Sequence, residues 1–359
     1  MKNDPDTTGC EKPVDETGAN TITAFDKCAE PEQITRLEVL ARSALEQWDL
    51  GAGARVELVQ HRENTVFCVN AGGRRYALRV HRANYHSDAE LASEFIWTRH
   101  LNSVKLRTPQ PVPARCGALF VHADAEGVPE TRRVDLLEWF EGRPLGKLEE
   151  WLDESPETLA PSLEIAGRLM GYVNRQARHW TPPAEFTRRQ WDKHTLLRPD
   201  PFWGRYWELE ALSREQIARL GRAEPLLQND LKTLGKDPDH FGIIHADFIP
   251  DNLLVDGETV CLIDFDDMGP GWYLYEMASL LFFFADHPDY ACGLEAAVRG
   301  YRQEHTLSDD ALHYLPVFLL LRGMAFLGWV HERSDTETAA FVTPRVIAIV
   351  DKLVQEYLR

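Results

Sequence analysis

Residues 243–267 read Ile243-Ile244-His245-Ala246-Asp247-Phe248-Ile249-Pro250-Asp251-Asn252-Leu253-Leu254-Val255-Asp256-Gly257-Glu258-Thr259-Val260-Cys261-Leu262-Ile263-Asp264-Phe265-Asp266-Asp267. Two short apolar runs, 253–255 and 260–263, flank Asp256-Gly257, a dipeptide that favours a tight hairpin turn. A polar loop carrying His245, Asp247 and Asn252 precedes the hairpin, and Asp264, Asp266 and Asp267 follow it. Closing the hairpin brings Asn252, at its entrance, close to Asp264, at its exit. An amide oxygen and a carboxylate converging there suit Mg²⁺, a hard ion that takes oxygen ligands and keeps part of its water. Asp247, on the same loop, then faces a metal-bound phosphate from the acceptor side, where an acid can receive a hydroxyl proton.

The spacing H-x-D-x-x-x-x-N followed by D-x-D resembles the catalytic core of the aminoglycoside phosphotransferase and choline kinase superfamily. These are small-molecule relatives of the protein kinases. His245, Asp247, Asn252 and Asp264 match that motif position by position, and Asp266 matches its frequent second acid; Ala246 stands where Gly is most often seen. The resemblance implies an α+β, protein-kinase-like two-lobed fold, with an antiparallel β-sheet N-lobe and a mainly helical C-lobe. It also implies Asp247 as the catalytic residue that receives the acceptor proton, Asn252 and Asp264 as Mg²⁺ ligands, and ATP or GTP as co-substrate. His245 and Asp266 then support the catalytic loop. The alternative reading of the stretch is a surface hairpin that happens to be acid-rich.

At 359 residues the chain is long enough for a large core and two lobes. Its formal charge of −18 argues against a nucleic-acid or anionic-membrane partner, since both demand basic surface. That charge fits a cationic substrate, although many proteins are simply acidic. The six cysteines are scattered without a C-x-x-C pair and read as residues of a reduced protein. No basic n-region followed by an apolar run opens the sequence, and the apolar run near 277–285 is too short to span a bilayer. A cytoplasmic enzyme, monomeric or homodimeric, is expected.

Along the chain, residues 1–30 are poor in large apolar residues and read as a flexible tail. The division expected is an N-lobe over 31–140 that binds the nucleotide phosphates and a C-lobe over 141–359 that holds the catalytic loop and acceptor site. Helical periodicity covers 31–48, and three β-rich runs follow at 56–59, 65–69 and 76–80. The turn His61-Arg62-Glu63-Asn64 resembles the Glu-Asn-Thr turn of the superfamily, which implies that Asn64 and Thr65 approach the phosphates. Arg79 on the third strand is the candidate for the phosphate-contacting cation that a kinase carries as Lys. A helix over 87–101, capped by Ser87 with Glu90, offers Glu94 as its ion-pair partner.

Strands are expected at 117–122 and 133–139. The run 136–145 resembles an interlobe hinge, placing adenine against backbone groups near Glu138 and Phe140. Helices are expected at 163–177, 213–234, 289–305, 309–332 and 338–358. Trp180, Trp191 and Trp203 form either an aromatic wall for the acceptor or wedges in an irregular insert. The run 269–272 reads as a chain break before a buried helix, and this segment resembles homoserine-kinase-like and hydroxylysine-kinase-like members. Asp267, Trp272 and Glu276 are the substrate-facing candidates, Glu276 having a second reading as a support of the catalytic loop.

The sequence thus points to a kinase transferring the γ-phosphate of ATP to a small-molecule hydroxyl, on an amino alcohol or hydroxy-amino acid. An aminoglycoside-type antibiotic, a protein Ser/Thr acceptor and a non-catalytic nucleotide-binding regulator follow in that order.

Overall fold

The computed structural model describes residue 25 and residues 28–359 apart from 52, 63, 152, 258 and 335, and the backbone alone of 148 and 149. The expected tail over 1–30 therefore lies almost wholly outside the described residues, as does Glu63 of the phosphate-covering turn. Packing divides the chain into two units, Met1–Glu141 with Pro183–Thr187, and Gly142–Pro182 with Arg188–Arg359.

The first unit contains α1 (Glu30–Leu45), β1 (Arg55–His61), β2 (Thr65–Ala71), β3 (Arg74–Val80), α2 (Asp88–Ser103), β4 (Phe120–Ala125) and β5 (Val128–Glu138). The strands pair antiparallel in the order β1-β2-β3-β5-β4. Side chains alternate across a strand, so each face of the sheet has its own core. Leu78 and Leu136 pack with Leu37, Leu40 and Ala41 of α1. Ala77 and Leu137 point the other way, to Leu91 and Phe95 of α2. Arg79 and Asp135, two residues on from Ala77 and two before Leu137, share that α2 face. The α2 start is fixed by a reciprocal capping box between Ser87 and Glu90.

The second unit runs β6 (Arg143–Pro144), α3 (Leu148–Trp151), α4 (Pro156–His179), α5 (Lys193–Leu196), α6 (Arg214–Leu234), β7 (Phe241–Ile244), β8 (Leu253–Asp256), β9 (Thr259–Leu262) and β10 (Gly269–Trp272). It continues with α7 (Tyr273–Leu281), α8 (Tyr290–Tyr301), α9 (Asp309–Leu312), α10 (Leu315–Glu332) and α11 (Glu337–Tyr357). The hairpin β8–β9 pairs Leu253 with Leu262 and Val255 with Val260, and β6 adds to its edge.

Three elements differ from the sequence reading. Helix α4 begins at Pro156, capped by Ser155, earlier than 163; Pro156 takes the first helical position, where a missing N–H costs little, and Pro161 lies inside the helix in its second turn. The run 269–272 is a strand paired with β7, not a break. Its glycines serve close approach: a Cβ at Gly269 would sit 2.2 Å from the Arg189 carbonyl oxygen, and one at Gly271 2.4 Å from the Ile244 side chain. Finally, the span Asp309–Glu332 exceeds 277–285 as an apolar helical stretch and by length and composition alone could cross a bilayer. Its apolar window is 78% buried, as in a core helix.

Candidate active site

In the first unit, antiparallel register places Arg79 directly opposite Asp135. The guanidinium donates from Nε to Asp135 Oδ1 (2.9 Å) and from Nη2 to Oδ2 (2.7 Å), a bidentate fork. Its Nη1 meets Glu94 Oε1 of α2 at 2.9 Å. His81, just past the end of β3, adds Nε2 to Asp135 Oδ2 at 2.8 Å. All four side chains are buried. Burial alone would raise the Asp135 carboxyl, but Arg79 and His81 beside it more than offset this and hold it below the usual carboxylate range.

The turn between β1 and β2 is braced from within: Thr65 Oγ1 bonds His61 Nδ1 at 2.8 Å, and Asn64 Oδ1 accepts from the Arg82 N–H at 3.4 Å. Both side chains are thus engaged with their own sheet. At the end of β5, the Glu138 N–H donates to the Gln110 carbonyl (2.8 Å), and the Arg107 guanidinium lies 4.6 Å from the Phe140 ring centroid.

In the second unit the loop expected to be catalytic joins β7 to β8. His245, fully buried, donates from Nε2 to the Ile263 carbonyl (2.9 Å) and so ties the loop to the far end of the hairpin. Burial lowers its pKa, with weaker opposing effects from Ile263 and Asp247, which favours the neutral ring. The Ile263 N–H donates to the Asn252 carbonyl at 3.0 Å, clamping the hairpin's two ends beside Asp264. Asn252 spends its amide nitrogen on Asp247, reaching the backbone oxygen at 3.0 Å and Oδ2 at 3.3 Å.

Two residues here hold a left-handed backbone, Ala246 at φ 67° and Asp264 at φ 62°. The first gives a physical meaning to the Gly usual at that position. Asp264 is exposed, whereas Asp266 and Asp267 are buried. Asp267 accepts from Trp203 Nε1 at Oδ1 (3.2 Å) and from Trp191 Nε1 at its carbonyl (2.6 Å); the Asp266 carbonyl accepts from Arg188.

Two expected substrate-facing residues lie elsewhere. Trp272 is buried against Phe241 and Phe318 and donates to the Gly235 carbonyl at 2.7 Å, so it is a core residue. Glu276 has no exposed surface, and its Oε1 accepts the backbone N–H of His245, which supports the catalytic loop. Burial, partly opposed by that hydrogen bond, pushes its carboxyl up to about 8.

Sequence reasoning missed Asp135, His81 and Arg322. The signal was available: Asp135 is a lone acid in the apolar run 134–137, Arg79 the one base within 76–80, and Arg322 a lone charge inside the apolar α10. Buried charges of this kind demand partners. Arg322 meets Asp247 Oδ1 through Nη2 at 2.7 Å.

The donor set fits a divalent ion of the Mg²⁺ type. The amide nitrogen of Asn252 is committed to Asp247, so its side-chain oxygen is the atom that could serve a metal, and Asp264, next to the Ile263 that is bonded to the Asn252 backbone, adds an exposed carboxylate. Among the described residues no group of three or more His, Cys, Asp or Glu side chains forms a closed cage. An open two-oxygen site is how Mg²⁺ is held when phosphate and water complete its shell.

Comparison with known proteins follows the same line. The model of the phosphotransferase enzyme family, APH, matches residues 55–308. A microcompartment-associated aminopropanol kinase of solved structure superposes with a TM-score of 0.79 at 31% identity, covering 90% of this chain and 97% of the other. The amicoumacin kinase of Bacillus subtilis is 27% identical over 79% of this chain and 82% of its own. The homoserine kinase of Rhizobium johnstonii is 28% identical over 73% of each. The chain belongs to the phosphotransferase enzyme family and is a kinase-fold enzyme that phosphorylates a hydroxyl of a small molecule.

Proposed function

We propose that the acceptor is an amino alcohol or hydroxy-amino acid and that Mg·ATP is the phosphoryl donor. The observation that carries the mechanism is the clamp Asn252–Ile263, which holds the acid Asp247 and the oxygen pair Asn252/Asp264 on one short loop and hairpin. Asp247 orients the acceptor hydroxyl. As the new O–P bond forms and the bond from the γ-phosphorus to its bridging oxygen breaks, ADP leaves and the hydroxyl proton passes to Asp247. Asn252 and Asp264 would hold the metal, which when bound neutralises charge on the phosphate oxygens. Arg79, steered by Glu94 and Asp135, supplies N–H donors for the donor phosphates. Asn64 and Thr65 stiffen the turn whose backbone N–H groups would approach the phosphates, and backbone groups near Glu138 and Phe140 would receive the base. Positioning and charge supply most of the acceleration, because the transition state is loose.

The acceptor class is supported by relatives whose names specify aminopropanol and homoserine, molecules that pair a hydroxyl with an amine. Asp267, held by Trp191 and Trp203, is the residue we assign to the acceptor's ammonium. The test is ADP production with Mg·ATP against a panel of amino alcohols, hydroxy-amino acids and aminoglycosides. Turnover confined to aminoglycosides would replace the amino-alcohol reading, and turnover with GTP in preference to ATP would replace the donor.

A further inference from the structure

Helix α10 reads Leu315-Pro316-Val317-Phe318-Leu319-Leu320-Leu321-Arg322-Gly323-Met324-Ala325-Phe326-Leu327-Gly328-Trp329-Val330 before its polar end, and its single charge in that run, Arg322, is 1% exposed. A guanidinium so far from water must be met by acceptors and an opposite charge. It is: Nη1 donates to the Ala246 carbonyl at 3.1 Å and Nη2 to Asp247 Oδ1 at 2.7 Å. Three rings surround it, with Trp203, Phe326 and Tyr275 centroids 4.6, 5.1 and 5.8 Å from its central carbon. A box of aromatic faces is the chemistry that receives an organic cation. Here the chain fills the box with its own, so Trp203 is already engaged by Arg322 on one face.

We propose that Arg322 is a positioning residue for phosphoryl transfer, acting through Asp247. By holding Oδ1 it turns Oδ2 toward the acceptor hydroxyl; Asn252 Nδ2, at 3.3 Å, restrains Oδ2 only loosely. By holding the Ala246 carbonyl it also fixes the left-handed turn, φ 67°, from which Asp247 projects. The aromatic box sets the guanidinium in place, so the acid's orientation is determined by the core of the second unit and needs no substrate to induce it. Arg322 touches neither phosphate nor acceptor. This inference rests on the reading of Asp247 as the residue that receives the acceptor proton.

The test uses Arg322→Ala and Arg322→Met in the full chain, with the best acceptor of the panel. Loss of orientation is expected to lower kcat roughly hundredfold, as misplacement of a reacting group by about 1 Å does. The KM for ATP and the nucleotide-induced rise in melting temperature are expected to stay near the parental values. Guanidinium ion at tens of millimolar is expected to restore part of the kcat of Arg322→Ala by entering the vacated aromatic box. It is expected to do nothing for Arg322→Met, whose side chain fills the space and preserves folding. Parental kcat in either variant overturns the proposal. So does a folded, nucleotide-responsive Arg322→Ala enzyme that guanidinium fails to rescue. Parental turnover by Asp247→Asn is a distinct result, since it removes the reading of Asp247 itself.

Discussion

Arg79 and Asp135 face each other across adjacent antiparallel strands, and the bidentate contact between them is fully enclosed, Asp135 having no exposed surface. With Glu94 on the remaining side, one cation serves two buried carboxylates. A guanidinium can do this because its donors are spread over a rigid fork. An ammonium is a point charge and cannot match both.

The Arg79→Lys variant is therefore expected to lose nucleotide affinity by about tenfold, about 1.4 kcal/mol, and to lose stability because Asp135 is left poorly paired. Removing one partner of a buried pair costs about 3–5 kcal/mol. The double variant Arg79→Lys with Asp135→Asn is expected to lose less stability than the sum of the single changes, since the surplus charge goes with its partner. Urea unfolding and nucleotide-induced melting shifts read both quantities; strict additivity would show that the two residues are uncoupled.

Glu276 makes a prediction about pH. Its folded carboxyl titrates at about 8, against 4.5 for the ordinary group. The folded chain thus holds a proton that the unfolded chain releases between these values. The stability this contributes is complete below 4.5 and is lost as pH rises toward 8. Glu276→Gln keeps an oxygen for the His245 N–H without the titration. The melting-temperature difference between Glu276→Gln and the parent is expected to move in the variant's favour from pH 5 to 8 and level off above it. A constant difference across that range would contradict the assignment.

Gly269 and Gly271 are expected to be intolerant for different reasons. A methyl group at 269 meets backbone, the Arg189 carbonyl oxygen, and one at 271 meets the Ile244 side chain. Gly269→Ala is expected to destabilise by about 1–3 kcal/mol, as overpacking does, and by more than Gly271→Ala, where a side chain can yield. Chemical denaturation of both variants decides the order.

Much of this was legible in the sequence because the signals are local. The hairpin at Asp256-Gly257, the Ser87/Glu90 capping box and the apolar alternation of β2 and β3 each carry their own physics within a few residues. The Arg79–Glu94 pair could be named because both residues sit on elements with clear period. Asp135 and Arg322 were missed because their meaning is non-local: each is a single charge in an apolar run until its partner arrives from a distant element. Trp272 was misplaced for a related reason, and Glu276 follows the second of its two readings, bonding the loop that carries His245. Proximity in sequence to the metal loop does not say which face of β10 or α7 a side chain takes, and both turn into the core. The left-handed turn at Ala246 was hidden because the residue there is not Gly.

In the proposed mechanism Asp247 receives the acceptor proton while Asn252 and Asp264 hold the metal. The most direct measurement compares Asp247→Asn and Asp264→Ala with the parent for acceptor-dependent ADP release and for nucleotide-induced melting shift with and without Mg²⁺. Asp247→Asn is expected to lose turnover by at least about 10³-fold, in the range for lost acid–base catalysis, while keeping the Mg²⁺-dependent shift. Asp264→Ala is expected to lose that shift as well. Turnover retained by Asp247→Asn, or an unchanged Mg²⁺-dependent shift in Asp264→Ala, would contradict the account.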